Sequence, residues 1–252
     1  MYLSRVLLSS LSSFWSHLMF RMRVCSTVLA VALGATVFTR PAAAQASRDR
    51  DKICSLVQNR TLAVGTWATY NWTGGRTNGS TLRMAVVGKE TQEGTTYYWY
   101  EVSLGDPKRP RDKMIMQMLV PGLGTGSVRS MVMKSGGQPA MKMPAQMIRM
   151  VNSSPGMNMA ADLARQCPAM EVVGWERVTV PGGEFRALHM RNPGSQMVSE
   201  VWVQPEMQFS MVKAVLKDGA VMELTGQGTD AKSSITETPQ EMPGLPGGRP
   251  PR

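Results

Sequence analysis

The stretch SMVKAVLKDGAVMELT, residues 210–225, indicates the fold more clearly than any other part of the chain. Two runs of β-branched and other apolar residues flank the pair Asp218-Gly219. An Asp-Gly pair between two such runs is a strong signal for a β-hairpin, because both residues tolerate the positive φ angles of a tight turn. The stretch therefore predicts two neighbouring antiparallel strands joined by this pair.

The same rhythm extends outward from the hairpin. Between Trp67 and Leu224, short runs of β-branched, aromatic and methionine residues are separated by Gly, Pro and Asn, which is typical of antiparallel sheets. A polar run at 88–94 predicts a hairpin loop, and residues 181–183 predict a tight turn. With about ten strands, the pattern favours a mostly β domain built as a single curved antiparallel sheet or half-open β-barrel.

Helix is predicted in only three short segments. Asp51–Gln58 is expected to form a helix near the start of the domain, and Pro144–Val151 and Ala160–Gln166 are the other candidates. The last two belong to a short helical insertion at roughly residues 139–167, which interrupts the run of strands. We expect this insertion to act as a lid over the sheet.

Residues 1–46 predict a leader with a secretory signal peptide. Two arginines precede an apolar run that is too short to span a membrane, and small residues suited to cleavage follow it. We place the signal peptide at about residues 21–46, with translation starting at Met19 or Met22. The leader predicts that the protein is periplasmic or secreted.

The remaining chain divides into a domain and a tail. Residues 47–238 form the predicted β-rich half-barrel domain, and residues 239–252 are so rich in Pro and Gly that they predict a disordered tail. Cys54 and Cys167 both lie in the domain. An even pair of cysteines in an oxidising compartment predicts one disulfide, and two separate buried thiols are the alternative.

Residue types that carry catalysis are sparse after the leader. His189 is the only histidine there, and no serine-nucleophile, zinc or phosphate-loop motif accompanies it. The net charge of +10 is scattered, apart from a cluster at 108–113 that favours a solvated loop. We therefore expect a monomer that is not an enzyme, has no cofactor, binds no nucleic acid and contacts a membrane only transiently.

Methionine is the most unusual feature of the composition, with 22 in the chain. Residues two apart in a strand point to the same face, so Met114, Met116 and Met118 predict a stripe of thioethers, and Met131 and Met133 predict a second one. Three interpretations are open. The methionines form an ordinary core, they line an adaptable cavity for apolar ligands, or they bind Cu(I) through their soft sulfur atoms.

Aromatic residues offer large apolar surfaces as well, so they either line such a cavity together with the methionines or fill a core. The candidates for lining it are Met114, Met116, Met118, Met131, Met133, Trp99 and Trp202. The Cu(I) alternative uses the same sulfur atoms, with Met114, Met116 and Met118 as its first ligands.

The second half of the chain carries a pattern that resembles a group of exported bacterial proteins. Its elements here are VPGGEFRALH at 180–189, EVWVQ at 200–204, MVKA at 211–214 and MELTGQGTDAKS at 222–233. Over roughly residues 171–236 they are similar to the outer-membrane lipoprotein carrier (LolA/LolB-like) superfamily. Where that pattern has a Pro-Phe-Gly turn, this chain has MQFS at 207–210.

The resemblance implies a half-open β-barrel in which short helices cover a curved antiparallel sheet and enclose an apolar cavity. It also implies binding of lipid or acyl chains, and it brings no catalytic residues. The first hypothesis is thus a periplasmic carrier or sensor that holds a lipid or other apolar ligand. The alternatives are a methionine-rich Cu(I)-binding envelope protein and a structural or interaction domain of the envelope whose interior is filled.

Overall fold

The structure is a computed structural model, and it describes residues 42–123, 127–153, 165–194 and 197–242. These contain two α-helices, α1 (Ala42–Asn59) and α2 (Ala145–Ser153). The strands are β1 (Trp67–Thr73), β2 (Thr81–Gln92), β3 (Thr95–Gly105), β4 (Met114–Val120), β5 (Ser130–Ser135), β6 (Met141–Lys142), β7 (Glu171–Val180), β8 (Gly183–Arg191), β9 (Val198–Val203), β10 (Met211–Leu216), β11 (Val221–Gly228) and β12 (Gln240–Glu241).

All twelve strands of the described chain belong to one open sheet, in the order β12-β6-β5-β4-β3-β2-β1-β11-β10-β9-β8-β7. Neighbouring strands are antiparallel, except that β12 runs parallel to β6. The sheet curves so far that the turn between β7 and β8 reaches β11, where the Gly182 amide donates to the Leu224 carbonyl at 2.9 Å. The predicted mostly β domain with a single curved sheet is confirmed.

Two hairpin turns show where local sequence signals succeed and where they fail. The predicted turn at Asp218-Gly219 joins β10 to β11, with Gly219 at a φ of 80°. The hairpin predicted around 88–94 is present, but its loop is shorter than predicted, because β2 and β3 continue to a two-residue turn at Glu93-Gly94. The φ angles there are 51° and 79°, and this pair of positive angles suits the right-handed twist of the flanking strands.

Helix α1 is longer than the predicted helix at 51–58, and it begins inside the predicted leader. It carries Cys54, which forms the predicted disulfide with Cys167, 113 residues further along the chain. The two Cα atoms are 5.6 Å apart. The bridge ties the helix to the 3-10 turn that immediately precedes β7.

Further contacts hold α1 against the sheet. The Trp175 indole on β7 donates to the Asp49 carboxylate at 2.8 Å. One and two turns further along the same side of the helix, Ile53 is buried in the core and Val57 packs against it. Neither helix of the described chain combines the length and the apolar character needed to cross a membrane.

The insertion predicted at 139–167 contains the short strand β6 and helix α2 in its described part. Helix α2 confirms the second predicted helix, and its residues Met147, Ile148 and Val151 pack against the core. Most of the third predicted helix, 160–166, lies outside the described residues.

Alternation along each strand gives the sheet two faces. We call the face that carries Met84, Val102 and Met116, which lie opposite one another on β2, β3 and β4, the inner face. The opposite side, which carries Glu101 and Gln117, is the outer face. The main apolar core forms on the inner face, where both helices pack.

A segment after β11 crosses the outer face, and we call residues 229–241 the C-terminal strap. The Ala231 amide donates to the Gly65 carbonyl at 2.7 Å, and further along Ile235 is buried in a small outer-face apolar cluster. The strap ends in β12, which pairs with β6. Residues 240 and 241 therefore extend the sheet into the segment predicted as a tail, and residues 243–252 lie outside the described chain.

Candidate functional site

A cavity of about 190 Å³ lies on the inner face. Its walls come from β1–β4, from β9–β11, from the loop between β9 and β10, and from Val57 of α1. The lining is mostly apolar. Five methionines and three aromatic residues contribute to it: Met84, Met116, Met118, Met211, Met222, Trp72, Tyr100 and Phe209.

The register of β4 and β5 brings the predicted methionines together on this face. Met116 lies opposite Met133, and Met118 lies opposite Met131. Met116 and Met118 line the cavity. Met131 is buried in the core, Met133 packs against that core, and Met114 at the end of the stripe is 37% exposed. The stripe thus contributes two of its members to the cavity wall.

The two tryptophans predicted for the cavity lie on the outer face instead. Trp99 lies two residues before Glu101 on β3, so both side chains point to the outer face. There Trp99 packs against the small cluster that contains Ile235. Trp202 lies opposite His189 on one side and Lys213 on the other. Neither tryptophan lines the cavity, because β-strand alternation turns them away from their neighbours on the inner face.

Three methionines of the wall were absent from the sequence-based candidates. Met84, Met211 and Met222 lie on three different strands, so none of them belongs to a local stripe. Met222 lies opposite Trp72 on β1, which also lines the cavity. Only the order of the strands collects such residues, and no local signal in the sequence identifies them.

Polar atoms of the wall are few, and two of them lack a partner. The Trp72 indole Nε1 and the Gln208 amide Nε2 are buried without a hydrogen-bond acceptor among the described residues. Arg60 also lines the cavity, and its guanidinium donates to the carbonyls of Met207 and Pro205. Burial lowers the pKa of Arg60 from its ordinary value.

The loop between β9 and β10 brings Gln208 to the cavity through a tight series of hydrogen bonds. The Gln204 amide donates to the Ser210 carbonyl at 2.7 Å, and the Ser210 amide donates to the Met207 carbonyl at 3.1 Å. Ser210 has a φ of 45°, a left-handed conformation that glycine adopts more easily. The chain therefore makes this turn with Ser210 in place of the glycine of the LolA/LolB-like pattern. Gln208 comes directly before Phe209, which corresponds to the phenylalanine of that pattern.

Two tyrosines keep the core around the cavity uncharged. The Tyr70 hydroxyl donates to the Met211 carbonyl at 3.0 Å, and the Tyr100 ring lies 6.2 Å from the Phe209 ring. Burial raises the pKa of both Tyr70 and Tyr100 far above the ordinary tyrosine value. Both hydroxyls are therefore neutral at any physiological pH.

On the outer face, His189 is buried between two carboxylates. Its Nε2 atom lies 2.6 Å from Glu200 Oε2, and its Nδ1 atom lies 3.3 Å from Glu176 Oε1. The ring stacks on Trp202 with centroids 4.1 Å apart, and the indole of Trp202 donates to Glu176. A histidine that activates a nucleophile contacts a hydroxyl or thiol, and none is among these contacts of His189. Within the described ranges no three His, Cys, Asp or Glu side chains are grouped to hold a metal ion.

Glu101 forms a second buried polar group on the outer face, with 1% of its surface exposed. Its carboxylate accepts hydrogen bonds from the Gln117 amide at 2.8 Å, from the Ser234 backbone amide at 2.9 Å and from the Ser234 hydroxyl at 2.7 Å. Arg83 lies 3.7 Å away. The C-terminal strap thus supplies two of the bonds that satisfy this buried charge.

No protein-family profile and no curated protein matches the chain. Solved structures that resemble it include MucB, with a TM-score of 0.36, 13% identity, and coverage of 76% of this chain and 63% of MucB. This chain thus spans less than two thirds of the length of MucB. An exported protein of Bacteroides fragilis with a YmcC-like fold has a TM-score of 0.33 and 12% identity, covering 66% of this chain and 96% of that one. These similarities are too low to transfer any property to this chain.

Proposed function

We propose that this protein is an exported, non-enzymatic binding protein that holds a lipid or other apolar ligand in the inner-face cavity. The observation that carries the proposal is the lining, in which five methionines and three aromatic residues surround about 190 Å³. An apolar protein cavity of about 150 Å³ stays dry and binds a molecule of the size of benzene. Flexible, polarisable thioethers allow such a wall to adapt to ligands of different shape.

Export and the redox environment support a role in the bacterial envelope. The signal peptide predicted in the leader directs the chain out of the cytoplasm. The disulfide between Cys54 and Cys167 is typical of proteins in an oxidising compartment, such as the periplasm. We expect a monomer that meets a membrane transiently, when it takes up or releases its ligand.

Binding of an apolar dye tests the proposal. Delipidated protein is titrated with N-phenyl-1-naphthylamine, whose fluorescence rises in apolar surroundings. Leu123→Trp fills the cavity from its edge, since Leu123 lines it and is only partly buried. Val64→Trp is the matched control, because Val64 is 46% exposed and lies outside the cavity wall.

We expect wild type and Val64→Trp to bind the dye, and Leu123→Trp to lose most of the signal. Native mass spectrometry of protein purified from its own envelope should show a bound apolar molecule. Equal dye binding by both variants would place the ligand elsewhere. A wild-type protein that binds no dye and carries no co-purified molecule would contradict the proposal.

A further inference from the structure

Two unpartnered donors distinguish this cavity from an ordinary apolar core. The Trp72 side chain is 7% exposed, and its Nε1 atom is buried without an acceptor in the described chain. The Gln208 Nε2 atom is in the same condition. Leaving a buried donor unsatisfied costs roughly 1–3 kcal/mol, so such groups are rare in native proteins and require an explanation.

Three of the four other indoles of the described chain show what Trp72 lacks. Trp67 donates to the Asp230 carboxylate at 2.7 Å, and Trp175 donates to the Asp49 carboxylate at 2.8 Å. Trp202 likewise donates to a carboxylate on the outer face. Three tryptophans are thus paired with an anionic oxygen, whereas the one that lines the cavity has no oxygen partner.

A cation lies in the same wall. Arg60 lines the cavity together with Trp72 and Gln208, and none of the ion pairs within 4.0 Å in the described chain involves it. Glu206 offsets part of the effect of burial on the pKa of Arg60. The cavity therefore combines an apolar wall with two unpartnered hydrogen-bond donors and a positive charge.

We propose that the natural ligand is a single-chain acyl compound whose carbonyl oxygen, in a carboxylate or an ester, accepts hydrogen bonds from Trp72 Nε1 and Gln208 Nε2. This inference rests on the proposed function, since it assigns the chemistry of the ligand in the same cavity. Two unpartnered donors favour a ligand that carries an acceptor oxygen, and Arg60 adds a preference for the anionic form.

The volume limits the ligand to one chain. Since about 150 Å³ accommodates the six carbons of benzene, about 190 Å³ accommodates roughly seven or eight carbon atoms. Two acyl chains side by side exceed this space. A longer single chain fits with its carbonyl end inside the cavity, beside Trp72 and Gln208, and the rest of the chain extending out of it. The dye is also larger than this volume and binds with only one of its ring systems inside.

Competition against the same dye distinguishes the contribution of the carbonyl group to binding from that of the hydrocarbon chain. The probes are hexane, methyl hexanoate and hexanoate, which have chains of similar length but differ in the acceptor. Trp72→Phe and Gln208→Met remove one donor each and keep an apolar side chain of similar size. Gln204→Met is the control, because Gln204 belongs to the same loop and has an unpartnered amide oxygen but does not line the cavity.

We expect the ester and the acid to displace the dye from wild type at concentrations at least about tenfold lower than hexane, as one to two hydrogen bonds provide. Each donor variant should weaken the ester and the acid about three- to tenfold and leave hexane unchanged. Gln204→Met should leave all three unchanged. Tighter binding of the acid than of the ester, lost in Arg60→Gln, would identify a carboxylate, and equal binding would identify an ester.

Several results would overturn the inference without affecting the proposed function. One is equal displacement by all three probes, and another is unchanged affinity for the carbonyl probes in both donor variants. Tighter binding of a dioleoyl phosphatidylglycerol vesicle than of hexanoate would exclude the single-chain limit. If Trp72→Phe fails to fold, Gln208→Met alone decides, because its side chain lies in a loop. Failure of every probe and of the dye would contradict the proposed function itself.

Discussion

The two faces of the sheet are made by the same strands but differ in how their buried polar groups are satisfied. On the outer face, Glu101 accepts three hydrogen bonds and His189 lies between two carboxylates. On the inner face, the donors of Trp72 and Gln208 have no described partner beside a cavity. The comparison indicates that the buried polar groups of the outer face are paired, whereas the inner face retains two unsatisfied hydrogen-bond donors beside its cavity.

The covers of the two faces differ as well. The C-terminal strap lies on the outer face and is joined to it by backbone hydrogen bonds, buried apolar contacts and ion pairs. Helix α1 covers part of the inner face, where Val57 lines the cavity, and a disulfide fixes it to the start of β7. The outer cover is held by contacts along its length, whereas the inner cover combines apolar packing and a hydrogen bond with a covalent bond.

Removal of the disulfide is expected to have the largest effect. In the chain-entropy model, a bridge that closes a loop of this length stabilises the fold by about 4–5 kcal/mol. The double variant Cys54→Ser/Cys167→Ser should therefore lose about 4 kcal/mol of unfolding free energy in guanidinium titrations. It should also bind the apolar dye less tightly, because α1 contributes to the cavity wall.

Wild type treated with a reductant is the control, and it should match the double variant, which should not respond to the reductant. A loss of stability without any loss of dye binding would show that α1 covers the inner face independently of the bridge. Unchanged stability would contradict the structural role assigned to the disulfide.

The second prediction concerns the buried charge of the outer face. Glu101→Leu removes a buried acceptor of Gln117 and Ser234 and the carboxylate that lies 3.7 Å from Arg83. We expect a loss of about 3 kcal/mol of unfolding free energy, because buried donors and a cation lose their partner. Dye binding at the inner face should be retained in the folded fraction.

Glu93→Leu is the matched control, since its side chain is 82% exposed and its only described ion pair, to Arg129, spans 3.4 Å at the surface. This variant should change the unfolding free energy by about 0.5 kcal/mol or less. Equal effects of the two substitutions would remove the distinction between a buried network and a surface contact.

The strands of both faces follow from local signals wherever the turn chemistry is local. Asp218-Gly219 specifies a hairpin because its residues tolerate the required φ angles. The hairpin loop predicted at 88–94 is longer than the observed turn, since the polar residues that precede Glu93-Gly94 belong to β2. Their strand conformation depends on pairing between β2 and β3, which the polarity of the residues does not reveal.

The site was predictable only in part, for a related reason. A period of two places Met116 and Met118 on the same face, and both line the cavity. The order of all the strands decides which face is the inner one. The aromatic character of Trp202 therefore does not show on which face this side chain lies. The position of Gln208 depends on a loop in which Ser210 has a left-handed conformation, where the LolA/LolB-like pattern has glycine.

The third prediction uses pH to loosen the outer cover. A hydrogen bond from Lys134 lowers the pKa of Glu237, and one from the Trp67 indole lowers the pKa of Asp230. Because the folded pKa is lower than the unfolded one, this stabilisation is complete above the ordinary carboxyl pKa and is lost as pH falls through the folded pKa. The effect is small, since solvent screens exposed groups.

Hydrogen exchange of the strap amides, compared with intrinsic rates, measures this effect. Below about pH 4 the amides of Ala231 and Gln240 should lose protection before those of β1 and β11, which form the centre of the sheet. Glu237→Gln should already show part of this loss at neutral pH. Simultaneous loss of protection in strap and sheet would mean that the strap does not open separately.

The smallest effect on ligand binding is expected from the methionines that the sequence analysis singled out. Leucine replaces methionine at nearly equal volume, so changing the five residues of the two stripes should cost less than about 1.5 kcal/mol at each position. These residues are Met114, Met116, Met118, Met131 and Met133. An apolar wall keeps its affinity for the dye after this change, since leucine provides the same kind of surface.

The same variant separates the apolar interpretation from the Cu(I) alternative. The register places Met116 opposite Met133 and Met118 opposite Met131, so four thioethers lie on adjacent strands. If they bind Cu(I), titration against a competing chelator should show an affinity that disappears in the leucine variant. We expect no such difference, together with retained dye binding, because the function proposed for this face depends on the apolar surface of the side chains and on the donors of Trp72 and Gln208.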